Sequence, residues 1–543
     1  MGGALLQLGS YGSQDVYLTG NPQITFFKVV YRRHTNFSME CIQQTLNGNI
    51  GWGNTITSNL SKSGDLVYKM YLQWKKPDSD DFKGNSTFII PHNFGHYMID
   101  YVSIDMGGQE IDRQTGHWME VYSRLNVPNN KKTIGQYSRE MINLSEYVPY
   151  NPHYKASLAI TSNGIYDTSN LDFNNSDNDG YLKKNDVNLR HLQPYNIQQN
   201  TPFQQMTGAS GCNGCILNRD DVPEILQIPL QFWFCRNPGL ALPIIALQYH
   251  DVKIKLKFQD QYMLNADKTS NALFPDSKLL NKTNQNVELW CEYIYLSDQE
   301  RRRFAQVSHE YLIEQIQYVD IDYTKNNNSF KLDSFKHPIK TFIFSSNWAK
   351  PKSFVNYRPE ENSRLYPFWR GGMPISASRP LVKENVIPGY LPCLGTNQTK
   401  LSLKINGNNR FDENKPWYYF SRYQTKYNYK GPVNLYSSLN LLTCGEGHAF
   451  RGESPDNTNN RFEINDEFKN YIGDSIGVYS FALKPDEHQP SGTCNFSRVD
   501  NCTLTIKDNY SDDTDESFPL VVYAINYNVL RIMSGMAGLA YSS

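Results

Sequence analysis

The chain has 543 residues, more than one hydrophobic core normally supports, so we expect two domains. Its 53 basic and 54 acidic residues balance, which gives no electrostatic reason to expect nucleic-acid binding. Aromatic residues are plentiful and charged residues reach only 20%, a composition that suits sheets and interfaces and predicts a mostly β protein.

The ends and the cysteines bear on the compartment. Residues 1–6 lack the basic and apolar regions of a secretory signal, and Leu6 stands where N-myristoylation requires Ser or Thr. The longest mainly apolar stretch, residues 240–247, is too short to span a bilayer. Nine cysteines, an odd number thinly spread, are typical of free thiols. We therefore expect a protein made and assembled in the cytoplasm.

The first half is predicted to follow a Gly-rich leader or arm, residues 1–24. Residues 23–33 alternate β-branched and aromatic side chains with others, which predicts the opening strand of a first domain at residues 25–297. Residues 126–218 are rich in Asn, Asp, Gly and Tyr and predict long loops. Further strands are predicted at residues 66–74, 98–106, 225–234 and 287–296.

A short helix is predicted between the halves, at residues 298–309. Ser297 and Glu300 have the spacing of a capping box, in which both side chains satisfy backbone donors at a helix start. The second domain is predicted at residues 310–530, opening with a strand at residues 311–319 and ending with one at residues 519–527.

The chain end is predicted to be irregular. Residues 535–541 contain too many glycines for a stable helix, so residues 531–543 are interpreted as a C-terminal tail.

The two halves carry the same order of signals. A strand end at Phe234 leads into a proline-bounded loop and a strand near Asp251, and Phe481 and Asp500 repeat this arrangement. Upstream, the Gly-Gly pair at residues 107–108 matches the Asn-Gly pair at residues 406–407, and both favour tight hairpin turns because these residues accept positive φ. We therefore predict an all-β duplication, best accommodated as two tandem eight-stranded jelly-roll β-sandwiches with long loop insertions and a short linker helix.

Five blocks of sequence, spread over both halves, carry a family resemblance: residues 11–37, 236–252, 300–315, 481–501 and 526–535. They closely resemble the major capsid proteins of nucleocytoplasmic large DNA viruses. The resemblance implies a double jelly-roll subunit whose homotrimer places six sandwiches around one axis, as a pseudo-hexagonal capsomer of an icosahedral shell. The chain departs from the family in residues 430–474, where the connection is longer.

The resemblance also implies a location and partners. The protein would reside in the virion capsid shell after assembly in the host cytoplasm. Its implied partners are copies of itself, minor capsid and penton proteins, and an internal viral membrane near the leader and tail. Residues 126–218 and 430–474 are candidate outward towers, where any glycans on outer loops would be carried. Direct contact with nucleic acid is not expected.

Candidate assembly or inner-face residues lie in the leader, the first predicted strand, the linker helix and the last loop: Tyr17, Asn21, Phe26, Phe27, Arg32, Arg33, Arg301, Arg302, Arg303, Glu487 and His488. The three consecutive arginines have the composition of a nucleic-acid patch. We favour a solvated face or pairing with carboxylates, because the overall charge is balanced. The loop at residues 487–492 is expected to position two strands, with contact between subunits as the second interpretation.

Metal and catalytic sites have little support. Cys212 and Cys215 form a CxxC pair, but a zinc ribbon needs a second pair, so a structural or loop thiol pair is expected, with Cys235 or His250 as speculative further ligands. His92 and His96 are interpreted as ordinary histidines. The sequence contains no nucleophile elbow, phosphate loop or zinc-protease helix motif. We predict no catalytic, cofactor or metal site and do not expect an enzyme.

The alternative function is a jelly-roll carbohydrate-binding or host-attachment protein. Such a protein needs a clustered aromatic and acidic pocket, and residues 417–420 are the nearest candidate. We interpret their alternation, within a predicted strand, as core or trimer interface.

Overall fold

The computed structural model describes residues 9–10, 12–75, 88–89, 94–126, 216–217, 225–259, 287–323, 328–347, 399–411, 415–431, 476–507 and 518–541. Most of the two candidate towers lies outside the described residues, as do His92, Cys212 and Cys215.

The first half is a sandwich of two four-stranded antiparallel sheets. Its strands are β1 (Phe37–Gln44), β2 (Thr55–Asn59), β3 (Leu66–Lys75), β4 (Ile99–Met106), β5 (Gln109–Thr115), β6 (Ile225–Pro229), β7 (Val252–Phe258) and β8 (Val287–Leu296). One sheet has the order β1-β8-β3-β6 and the other the order β2-β7-β4-β5. In β7, Val252, Ile254, Leu256 and Phe258 are buried in turn, because alternate residues of a strand face the core.

The second half repeats this plan. Its strands are β9 (His309–Tyr323), β10 (Ser329–Lys331), β11 (Pro338–Ser346), β12 (Lys400–Ile405), β13 (Asn408–Asn409), β14 (Ile476–Ser480), β15 (Cys502–Lys507) and β16 (Phe518–Met533). The sheet orders are β9-β16-β11-β14 and β10-β15-β12-β13, which correspond strand by strand to the first half. The predicted all-β fold of two eight-stranded jelly rolls is confirmed.

The paired hairpin signals are also confirmed. Gly107 and Gly108 have φ of 58° and 87° between β4 and β5, and Asn406 and Gly407 have φ of 48° and 79° between β12 and β13. Positive φ at both central residues is the geometry of the primed turn, whose twist matches that of the flanking strands.

Helices are short, and all but the first lie between strands. They are α1 (Val16–Thr19), α2 (Phe94–Tyr97), α3 (Gly116–Asn126), α4 (Trp233–Arg236), α5 (Asp298–Gln306) and α6 (Thr425–Asn428). Tight 3-10 turns occur at Ser13–Asp15, Pro238–Leu240, Ile244–Ala246 and Phe496–Arg498, and a π-helical turn spans Tyr419–Gln424. Two-residue strands lie at Phe88–Ile89, Ile216–Leu217, Lys415–Pro416 and Cys494–Asn495. Among the described residues, no helix has the length and hydropathy needed to cross a membrane.

The two halves share a hydrophobic core. Helix α3 lays Trp118, Val121 and Leu125 on the outer face of the sheet β9-β16-β11-β14, where they join a cluster with Ile343 and Tyr523. The inner face of the same sheet packs in the core of the second sandwich. This sheet is therefore buried on both faces, which explains the near-continuous burial of the residues of β11 and β16.

The strand predicted at residues 23–33 is wrong. Regular structure is absent from residues 29–36, and the first strand begins at Phe37. The residues alternate as strand residues do, but they find no neighbouring strand within the described part of the chain and remain exposed. A strand pattern needs a partner edge, which this part of the molecule does not supply.

The linker helix ends earlier than predicted. It ends at Gln306, because His309 already pairs with Ile532 at the start of β9. Ser297 is the N-cap, with extended backbone angles, but its side chain makes no capping hydrogen bond, so the predicted capping box is wrong. The domain limits at residues 25–297 and 310–530 stay a prediction.

The C-terminal segment is not a free tail. β16 continues to Met533, Ser534 and Gly535 form a turn with φ of 53° and 80°, and β17 (Met536–Leu539) pairs back along β16. The glycines exclude a helix, as expected, but they supply a hairpin turn instead.

Two further strand predictions are corrected. The strand predicted at residues 225–234 ends at Pro229, and α4 begins at Trp233. Residues 417–420 are helical rather than extended. Trp417 and Phe420 are both buried in the core of the second sandwich, so the prediction that this segment contributes to a core holds.

Candidate functional site

A buried ion triad joins the two halves. Glu314 on β9 accepts a 2.9 Å hydrogen bond from Arg236 Nη1, and its other oxygen accepts one of 2.5 Å from Lys340 Nζ on β11. The side chains of Glu314 and Lys340 are 9% and 4% exposed, and that of Arg236 is 16% exposed. Two cations thus share one carboxylate where little water reaches them, so the loss of the carboxylate would leave buried charge unpaired.

Arg236 is held in place by the first half. It is the last residue of α4, and its Nε donates a 3.0 Å hydrogen bond to the carbonyl of Gln231. Its guanidinium lies over the ring of Tyr122 on α3, 4.3 Å from the ring centre. A planar cation between an aromatic face and a carboxylate is strongly oriented, which fixes the junction geometry.

A polar pocket with a volume of about 320 Å³ opens beside the triad. It is lined by side chains of both halves, among which the charged or titratable ones are Arg236, Glu314, Lys340, Lys430, Asp486 and His488. Lys430 Nζ pairs with Asp486 Oδ2 at 3.1 Å across the opening. Tyr429, which is buried, also lines the pocket.

Three of the blocks that carry the family resemblance meet at this pocket. Arg236 begins the block at residues 236–252, Glu314 lies in the block at residues 300–315, and Asp486 and His488 lie in the block at residues 481–501. Segments far apart in the sequence thus build one junction. Of the two loop residues predicted as a site, His488 lines the pocket, whereas Glu487 is exposed and pairs with Lys484 at 3.2 Å.

The three arginines of α5 are exposed. Arg301 Nε lies 3.0 Å from the carboxylate of Asp65, which is 6% exposed and also accepts a hydrogen bond from the backbone N–H of Leu296. Arg302 and Arg303 carry no described ion pair and face solvent. The structure thus ties the linker helix to the first half through Arg301. A role of these residues in assembly stays a prediction.

The leader and the residues that follow it up to Arg33, which together we call the exposed leader, present the largest run of exposed apolar side chains in the described residues. Tyr17, Phe26 and Phe27 are 91%, 89% and 97% exposed, and Asn21, Arg32 and Arg33 are exposed with them. The following edge strand β1 is also open, with Phe37 and Met39 about half exposed. An apolar run of this length is seldom left in water by a soluble protein, so it indicates a contact surface.

The described histidines and the cysteine named as candidate ligands, His96, His250 and Cys235, have ordinary protein surroundings. His96 is buried and its Nδ1 lies 2.7 Å from Glu120 Oε2. Burial alone would raise the pKa of Glu120, but Arg124 and His96 outweigh burial and lower it to about 2. His250 Nδ1 accepts a hydrogen bond from the backbone N–H of Ala537, and burial raises the pKa of Cys235 to about 12. No group of three or more metal-ligating side chains occurs within the described ranges.

Two family models match the chain. The one described as the major capsid protein N-terminus matches residues 25–163 and 195–297, and the one described as large eukaryotic DNA virus major capsid protein matches residues 300–439 and 472–538. The chain belongs to the major capsid protein family of large eukaryotic DNA viruses. It is a structural component of the virion shell, in a family of capsid proteins rather than enzymes.

Similar capsid proteins align along the whole chain. The chain is 35% identical to the major capsid protein of Pyramimonas orientalis virus and 30% identical to that of Paramecium bursaria Chlorella virus 1, with 100% of each chain covered in both cases. Among solved structures it is similar to the quasi-atomic model of the PBCV-1 virus capsid, with a TM-score of 0.58, 26% identity and coverage of 96% of this chain and 100% of the other. The Faustovirus major capsid protein shares the fold, with a TM-score of 0.53 at 13% identity.

The sequence patterns did not predict the ion triad of this capsid protein as a site. Two signals were present, because Glu314 and Lys340 each directly follow a fully buried isoleucine in a strand, Ile313 and Ile339. A charge inside such a strand indicates a buried partner. The identity of that partner could not be read from the sequence, because Arg236 lies in the other half.

Proposed function

We propose that this capsid protein assembles as a homotrimer with a pseudo-hexagonal outline, and that these capsomers tile the icosahedral shell of a large double-stranded DNA virus. The repeated strand order of the two sandwiches supports this proposal. A threefold axis acting on two similar sandwiches yields six similar lobes, which is the symmetry that a hexagonal lattice needs.

The exposed leader supports a contact role for the inner face. Its aromatic side chains, together with the open edge of β1, offer apolar area and unpaired strand groups to a neighbouring molecule. We infer contacts of this segment with minor capsid or penton proteins and with an internal viral membrane. Residues 126–218 and 430–474 would then lie at the opposite end as outer loops, where any glycans would be carried.

The proposed domains are a leader at residues 1–24, jelly rolls at residues 25–297 and 310–530, and a linker at residues 298–309. The short C-terminal segment at residues 531–543 belongs with the second jelly roll through the pairing of β17 with β16. Limited proteolysis tests how the two halves are joined. It should release no stable single half, because α3 of the first half shares a hydrophobic core with the second sandwich.

The assembly proposal is tested by the solution mass of the purified chain, measured by light scattering, with particle images of the same peak. We expect three times the chain mass of 62.6 kDa and a six-lobed outline. A well-folded monomer that stays monomeric at high concentration would overturn unaided assembly into a homotrimer, and would favour either the carbohydrate-binding alternative or assembly that requires a partner protein. The buried position of Trp417 and Phe420 gives that alternative no support at its nearest candidate.

A further inference from the structure

We propose that the pocket between the two jelly rolls binds a compact oxyanion, with inorganic phosphate as the probe, and that the bound anion holds the two halves together. The proposal does not depend on the state of assembly, because all the residues that line the pocket belong to one chain.

Size and polarity indicate a binding site rather than a packing defect. A volume of about 320 Å³ is at the lower end of the range of small-ligand sites, and it equals about ten waters at their share of the liquid volume. Its walls combine the charged side chains and the polar Tyr122, Asn126, Asn237 and Tyr429 with four apolar residues, Trp233, Leu240, Pro485 and Ile525. Burial raises the pKa of Tyr429 against the opposing effect of a hydrogen bond with Thr341, so its hydroxyl stays protonated.

The charges favour an anion over a cation. Among the lining residues, the cations Arg236, Lys340 and Lys430 face the two carboxylates Glu314 and Asp486. Guanidinium and ammonium groups carry only donors, and the described bonds of Arg236 and Lys340 leave further N–H groups available. Asp112 also acts on Arg236 from outside the pocket and offsets part of the positive potential of its guanidinium, so Lys340 and Lys430 are the main cations for the ligand.

The position of the pocket gives the ligand a structural consequence. Arg236 comes from the first half, and Lys340 and Lys430 come from the second. An anion that contacts all three would bridge the halves and would stabilise the folded chain in proportion to its occupancy. Phosphate suits three converging donors better than a monovalent halide, because its oxygens accept in several directions.

Equilibrium dialysis of radiolabelled inorganic phosphate against the full chain tests the proposal directly. We expect saturable binding of one phosphate per chain, and a melting temperature that rises along the same saturation curve. Chloride at matched ionic strength should give neither effect. Phosphate also stabilises proteins by exclusion from their surface, but that effect does not saturate with binding and is shared by all variants.

Two substitutions with opposite expected effects on phosphate affinity separate a binding role of the pocket from a structural one. Lys430→Met removes a cation from the pocket and leaves Asp486 to repel the ligand, so binding should weaken about tenfold. Asp486→Asn removes that repulsion, so binding should strengthen by a similar factor. Lys484→Met is the matched control, because Lys484 is as exposed as Lys430 but pairs with Glu487 outside the pocket. Failure of the unchanged protein to bind phosphate saturably, or a shift of both pocket variants in one direction, overturns the proposal.

Discussion

The backbone N–H of Ile316 on β9 donates a 3.4 Å hydrogen bond to the carboxylate of Asp112 on β5. Gln114 Nε2 donates a second hydrogen bond to the same carboxylate at 2.9 Å. Both strands lie at the edge of their sheets, so this contact closes two open edges against each other. Edge strands exposed in a single domain would pair with other chains, and the junction removes that hazard.

Asp112 should make the protein more stable as the solution is acidified. Burial raises the pKa of its carboxyl from 3.8 to about 6, against the opposing effects of Gln114 and Arg236. The folded state therefore takes up a proton at a higher pH than the unfolded chain, and stability is gained as the pH falls through 6. Asp112→Asn removes this gain. Between about pH 7 and about pH 4, the free energy of unfolding of the variant should therefore fall by up to about 3 kcal/mol relative to that of the unchanged protein. Urea unfolding of both proteins at each pH measures this change. A difference in unfolding free energy that stays constant with pH would contradict the prediction.

His117 should have the opposite effect. Burial lowers its pKa from 6.5 to about 4, although a hydrogen bond with the Ser346 carbonyl and the charge of Glu120 act against burial. The unfolded chain is protonated first, so stability present above pH 6.5 is lost as the pH falls toward 4. The glutamine of His117→Gln cannot titrate. Over that pH interval, the free energy of unfolding of the variant should therefore rise by up to about 3 kcal/mol relative to that of the unchanged protein. The same unfolding series applies, and a slope of the same sign as that of Asp112→Asn would refute the assignment.

Removal of the shared carboxylate of the ion triad should be costly. Glu314→Gln leaves Arg236 and Lys340 unpaired in a buried site, so the free energy of unfolding should fall by about 3–5 kcal/mol. Glu310→Gln is the matched control, because Glu310 lies on the same strand and pairs with Arg531 in solvent, where the loss should stay below about 1 kcal/mol. A second substitution, Lys340→Met, should recover part of the loss of Glu314→Gln. Equal losses in the two single variants would show that the triad is not desolvated.

The hairpin turn at the end of the chain should tolerate no side chain at Gly535. This residue has φ of 80°, and a Cβ there would lie 2.6 Å from Tyr249 Cδ2 in the first half. Gly407 has φ of 79° with open space around it, so Gly407→Ala reports the backbone cost alone, about 1 kcal/mol. Gly535→Ala should lose clearly more and should speed hydrogen exchange in β17. Similar losses for both would mean that Tyr249 moves freely aside.

Substitution of the exposed leader should separate folding from assembly. Changing Phe26 and Phe27 together to Ser should leave the melting temperature of the single chain unchanged, since both side chains are almost fully exposed. Particle images should show fewer or no larger assemblies, because the apolar contact is lost. Leu483→Ser is the control, with a side chain 83% exposed outside the leader. A drop in the melting temperature of the Phe26 and Phe27 variant would place the leader on the body of its own chain.

Local signals in the sequence predicted most of the sandwich framework. β8 runs from Val287 to Leu296 as predicted, and both Gly-containing hairpin turns form where expected. These features depend on alternation and on turn residues within a few positions, so they can be read from a short window. The repeat of these signals in order was enough to predict the duplication.

Features that depend on distant partners were missed. The alternation in residues 23–33 is real, but no described strand pairs with it, so it stays unstructured. The glycines near the chain end predicted an irregular tail, because the partner strand that makes them a hairpin is β16 itself, extended beyond its predicted end. The pocket was missed since it combines segments from both halves.

The last long strand has a consequence for the protein during its synthesis. β16 occupies a central position, between β9 and β11, yet it begins at residue 518 of 543. During most of the translation of the second half, β9 and β11 have therefore been synthesised while β16, the strand that separates them in the sheet, has not. Both strands hold apolar faces and unpaired backbone groups during that time, which makes the nascent chain prone to aggregation. The second half can therefore complete its central sheet only after β16 has been synthesised, and a factor that keeps β9 and β11 from pairing with other chains would act before that point.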